Sequence, residues 1–87
     1  VAHPDTATSL NDLANLCQAR GRLAEAELLF RDALRAWRAA VGDAHPETAT
    51  TLNNLAGLYR AQGRPGEAEP LLNQALRVRR AIFGATH

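Results

Sequence analysis

The stretch His45-Pro46-Glu47-Thr48-Ala49-Thr50-Thr51-Leu52-Asn53-Asn54-Leu55-Ala56 is a near copy of His3-Pro4-Asp5-Thr6-Ala7-Thr8-Ser9-Leu10-Asn11-Asp12-Leu13-Ala14. The interval from His3 to His45 recurs at His87, which begins a third copy. Laying residues 3–44 on 45–86 gives about 23 identities in 42 positions, and such self-similarity marks an internal duplication. The shared skeleton runs on through Gly21/Gly63, Ala26/Ala68, Leu29/Leu71, Ala33/Ala75, Leu34/Leu76 and Gly42/Gly84. The 87 residues therefore read as one domain, 1–87, built from repeat 1 (3–44) and repeat 2 (45–86).

Each unit reads as a helical hairpin. Pro4 and Pro46 suit the first turn of a helix, where a missing N–H costs nothing, and Asp5 or Glu47 follows near the positive end of the helix dipole. Ala7, Leu10, Leu13, Ala14 and Cys17 recur at steps of three and four, an apolar stripe expected to turn inward, and Ala49, Leu52, Leu55, Ala56 and Tyr59 repeat it. Gly21 and Gly63 suit the left-handed position that ends a helix. A second stripe follows each glycine, with Phe30, Ala33, Leu34, Trp37 and Val41 in one copy and Leu72, Ala75, Leu76, Ile82 and Phe83 in the other. The spacing predicts helices over 5–19, 23–41, 47–61 and 66–83, with an irregularity near Gly66–Pro70 because Pro70 lacks a donor. The expected class is all-α: a solenoid fragment of two stacked antiparallel helix pairs.

The pattern resembles the tetratricopeptide repeat, in the longer form found in kinesin light chains. Carrying the resemblance are His45-Pro46, Thr51-Leu52-Asn53-Asn54-Leu55-Ala56-Gly57-Leu58-Tyr59, Gly63, Glu67-Ala68-Glu69-Pro70-Leu71, Gln74-Ala75-Leu76 and Gly84. Repeat 1 departs from it with Asp12 for Asn54, Cys17 for Tyr59 and Leu28 for Pro70. The resemblance implies a right-handed superhelix and a protein–protein interaction module within a longer array, its concave groove lined by the first helix of each pair. A structural spacer or self-assembly element without a dedicated ligand is the rival reading.

Composition narrows the chemistry. Ten Lys+Arg, all of them arginine, face nine Asp+Glu for a formal charge of +1. Repeat 1 sums to −1 (five Arg, six acids) and repeat 2 to +2 (five Arg, three acids), too little for a nucleic-acid surface. Arg77, Arg79 and Arg80 suit the C-terminal end of a helix without any such partner. Arginine without lysine suggests a G+C-rich bacterial genome. No apolar run reaches the roughly 20 residues of a membrane helix, no signal peptide opens the chain, and the expected location is cytoplasmic. Val1 is not a natural initiator, so the chain reads as a piece of something longer. The three histidines begin separate repeats and cannot share a metal ion. Cys17 lies on an apolar stripe as a small hydrophobe, and one cysteine forms no internal disulfide. Glu25/Glu27 and Glu67/Glu69 stand two apart on a helix and diverge. No nucleophile, base or cofactor motif is found, so no enzyme activity, cofactor or metal is expected.

Two sets of candidate residues remain. With the apolar stripe inward, the helical wheel puts Thr8, Asn11, Asn15 and Gln18 on one other strip, and Thr50, Asn53, Gly57 and Arg60 on its copy. In proteins of similar pattern that strip meets extended peptides, and an asparagine amide can both donate to and accept from a peptide backbone. Lysines that clamp a terminal carboxylate in such proteins are absent here. The second set concerns association. Two repeats leave an apolar face at each end of the stack, so self-association by end-to-end stacking or helix exchange is expected. Trp37, whose counterpart is Arg79, either lines the intramolecular stripe or joins Ile82 and Phe83 in a contact between chains.

Overall fold

The computed structural model describes residues 4–84. Within them lie four helices, α1 (Pro4–Ala19), α2 (Leu23–Val41), α3 (Pro46–Ala61) and α4 (Pro65–Phe83), and no strand. The expectations resting on Val1, His3 and His87 lie outside the described residues. Three helices start one residue earlier than the spacing predicts, because Pro4, Pro46 and Pro65 themselves take the first helical position. At α3 the cap is made by His45, whose Nδ1 accepts from the Glu47 N–H at 3.1 Å. Pro70 does not interrupt α4. It is exposed and close to the helix start, so it forfeits one donor where the Gly66 carbonyl is open to water.

Each hairpin closes through the same turn. The Arg22 N–H donates to the Cys17 carbonyl at 2.8 Å, and the Gly21 N–H to Gln18 at 3.0 Å. Arg64 to Tyr59 (2.8 Å) and Gly63 to Arg60 (3.0 Å) reproduce both bonds. This double closure needs a left-handed residue at the glycine, and Gly21 and Gly63 take φ of 78° and 71°. Small residues then let the paired helices approach: Ala7, Ala14, Ala26, Ala33, Ala56, Ala68 and Ala75 are all buried.

The two hairpins join where α2 packs on α3. Phe30, Leu55 and Leu58 meet in one apolar cluster with Ala14, Ala56 and Tyr59. Leu34, Ala49, Leu52 and Ala75 make a second. Trp37 is 6% exposed and stacks on the His45 ring, with centroids 6.1 Å apart and planes 11° from parallel. It therefore lines the seam inside one chain and keeps almost no surface for another. Its indole Nε1 is buried without a partner. Thr48 and Thr51 are buried on the same side of α3, and each satisfies its hydroxyl on a carbonyl, Thr48 on Gly42 and Thr51 on Glu47, both at 2.9 Å.

Sequence symmetry does not make the two copies equally buried. Leu13, expected to turn inward, is exposed, as is Leu16, whereas their counterparts Leu55 and Leu58 are buried. The reason is position: α2 covers that face of α3, and no described residue covers it on α1.

A polar cluster fastens the seam from its edge. Glu27 on α2 accepts from Arg64 Nη1 at 2.9 Å and from the Tyr59 hydroxyl at 3.3 Å, and lies 3.1 Å from Arg31. Arg31 also donates to the Tyr59 hydroxyl at 2.5 Å, while the Arg64 guanidinium lies 4.5 Å from the centre of the Tyr59 ring. Partial burial pushes the Glu27 carboxyl up, but the hydrogen bond and charge of Arg64, the charge of Arg31 and the Tyr59 hydroxyl outweigh it, holding the group below its ordinary 4.5. A lowered carboxyl contributes stability that is complete above the unfolded value and is lost as pH falls through the folded one. Glu27→Gln should therefore be less stable than the wild type at neutral pH, by about 1 kcal/mol. That gap should shrink as pH falls below 4.5 and Glu27 becomes protonated in both states, read from urea titrations followed by circular dichroism.

Candidate interaction surface

The polar strip of α1 and α3 is the surface left over once the apolar stripes are buried. Thr8 and Asn15 are exposed on α1, and Thr50, Gly57 and Arg60 on α3. Asn11, Gln18 and Asn53 are half-buried at its margins. The Thr50 hydroxyl donates back to the Pro46 carbonyl at 3.0 Å, so its hydrogen is engaged within the helix. Gly57 is the open position: a Cβ built there would meet nothing within 4 Å. No packing demand explains glycine in that helix interior, where it costs about 1 kcal/mol relative to alanine.

One hydrogen bond ties the two first helices together along this surface. Asn54 Nδ2 donates to Asn11 Oδ1 at 3.5 Å, bridging α1 and α3. Asn53 looks the other way: with its carboxamide assigned so that the oxygen faces Arg79 of α4, that oxygen accepts from Nη1 and Nη2 at 3.3 and 2.5 Å. Asn54 and Arg79 were not among the residues marked by the helical wheel. A wheel ranks each helix alone, whereas Asn54 gains its place from the neighbouring α1, and Arg79, on α4, gains its place from the facing α3. The Asn53-Asn54 pair itself was the available signal, since adjacent residues on a helix diverge by about 100° and must serve two neighbours.

Elsewhere the side chains are occupied in structure. Cys17 is buried, its sulfur 4.0 Å from Glu25 Oε2. Arg38 donates to Gln74 at 3.0 Å and pairs with Asp43 at 2.8 Å, and Arg35 pairs with Asp32. Among the described residues no three His, Cys, Asp or Glu side chains cluster as metal ligands, and no helix is long and apolar enough to cross a membrane. Ile82 is half-buried and Phe83 exposed on α4.

A search of curated proteins finds no match. The sequence model of one family, the tetratricopeptide repeat, matches residues 5–81, which takes in nearly all of the four helices. The duplicated hairpin, its glycine turns and its alanine-lined helix contacts agree with that match, and the chain belongs to the tetratricopeptide repeat family.

Proposed function

We propose that this chain is a peptide-binding interaction module of the kinesin-light-chain-like repeat type, holding an extended segment of a partner protein along the polar strip of α1 and α3. Repeats of this family generally mediate protein–protein interaction and are typically non-catalytic. The observation that supports the reading is the approach of Asn54 Nδ2 to Asn11 Oδ1 at 3.5 Å, which brings polar side chains of the two first helices together. Thr8, Asn15, Gln18, Thr50, Asn53, Gly57 and Arg60 surround it. Amides suit a ligand recognised by its backbone, because each offers a donor and an acceptor whatever side chains the peptide carries. The bare helix at Gly57 leaves room for a ligand group. The same chain is proposed to self-associate through the two apolar ends of its stack.

Two experiments test the groove. On an array of immobilised extended peptides, Asn11→Ala together with Asn53→Ala should weaken retention about tenfold while helix content stays unchanged. Equal retention by wild type and variant would move binding to the other face or to the stack ends. Gly57→Ala separates stability from binding: it should stabilise α3 by about 1 kcal/mol in denaturant titration and still weaken retention. A more stable variant that binds as well as the wild type would remove Gly57 from the site.

A further inference from the structure

We propose that copies of this chain associate head to tail, α1 of one copy packing on α4 of the next in the register that α3 takes on α2. The inference rests on the self-association reading above and adds its polarity and its residues. The internal duplication supplies the template, because α4 is the counterpart of α2 and α1 the counterpart of α3.

The apolar parts are present at both ends. On the α3 side of the internal seam Leu55 and Leu58 are 2% and 0% exposed, while their counterparts Leu13 and Leu16 are 48% and 47% exposed. On the α2 side Leu34 is 7% exposed, against 47% for Leu76. An open cleft of about 400 Å³ at the α1 end is lined by Leu13, Cys17, Arg22, Glu25, Leu28 and Leu29. Another of about 290 Å³ at the α4 end is lined by Leu76, Arg79, Arg80, Phe83 and Gly84.

The polar pairs also carry over. The seam bond from Glu27 to Arg64, 2.9 Å long, translates into Glu69 and Arg22 of the next copy, both exposed here. Arg22 is already held by Glu25 at 3.7 Å, as Arg64 is by Glu67. The Thr48 hydroxyl on the Gly42 carbonyl translates into Thr6 of the next copy on Gly84.

The differences between the repeats point the same way. Where the seam has Asn54 beside Asn11, the junction would have Asp12 of the next copy beside Asn53. Arg79 already occupies the Asn53 oxygen, which leaves the amide nitrogen to donate to that carboxylate. Arg79 stands where the seam has Trp37, so a positive charge and a negative one have replaced neutral groups at matching places. Tyr59 and its donor Arg31 are likewise replaced together, by Cys17 of the next copy and Asn73. A contact between two α4 ends would put both Arg79 side chains in one interface, and one between two α1 ends both Asp12 side chains, without the opposite charge that the other end supplies. A head-to-tail contact is heterologous and does not close at two copies.

Sedimentation velocity on three preparations decides the matter. The wild type should form a concentration-dependent series beyond the dimer as it approaches millimolar. Leu13→Asp and Leu76→Asp each spoil one end, weakening association about 30-fold or more, so each alone should be monomeric. Mixed in equal amounts they should form a one-to-one dimer and stop there, since each brings one intact end. A monomeric wild type would overturn self-association and its polarity together. A wild type that associates while either variant still dimerises alone would leave self-association standing and overturn the head-to-tail arrangement. Glu69→Arg and Arg22→Glu, both on exposed side chains, give a version that spares the apolar packing, Arg22→Glu giving up only its surface pair with Glu25. Each should weaken association about 3- to 10-fold alone, and the equal mixture should recover it. No recovery in that mixture would also overturn the register.

Discussion

The packing of α2 on α3 is the contact on which the molecule depends. A single helical hairpin buries one stripe of each helix against the other and leaves a second apolar face on both. Phe30, Leu34, Leu52, Leu55 and Leu58 close that second face only because two hairpins lie side by side. Without the seam, these side chains would stand in water, each forfeiting about 1.5–3 kcal/mol of burial. Repeat proteins draw their stability from such nearest-neighbour contacts, and here the described residues contain one of them.

The seam is also where polar groups are concentrated. Glu27, Tyr59, Arg31 and Arg64 share hydrogen bonds at its edge, and the buried Thr48 hydroxyl reaches the Gly42 carbonyl at the end of α2. Apolar packing alone tolerates sliding of one helix along another. Bonds with defined partners fix the position, since a shift of one turn would strand a buried hydroxyl or a half-buried carboxylate. Trp37 is the exception, with an indole N–H that finds no acceptor. The unmade bond costs about 1–3 kcal/mol, set against the apolar area of a ring that is 6% exposed.

The candidate interaction surface divides into what periodicity could locate and what it could not. Thr8, Asn15, Thr50 and Gly57 are exposed because they lie about 100° round the helix from the apolar stripe, a relation internal to one helix and therefore readable from spacing. Asn11 and Asn53 occupy equivalent positions in the two repeats, yet one is bonded to α3 and the other to α4. Their neighbours differ in space, and spacing along the chain carries no information about that.

The amino-acid sequence by itself determined the class of fold, the number of helices, their bounds to within one residue and the alanine-lined contacts within each hairpin. These follow from local rules: prolines and glycines at helix ends, a 3.6-residue period, and small residues where helices approach. Tertiary structure alone decided which copy of a repeated residue is buried. Leu13 and Leu55 hold the same place in the two repeats, and only Leu55 has a helix lying over it. It decided equally that Trp37 stacks on His45, and that Tyr59 meets Glu27 and Arg31 of α2 and Arg64 at the start of α4. A duplicated sequence states the same instruction twice, and the physical difference between its copies comes from what packs beside each.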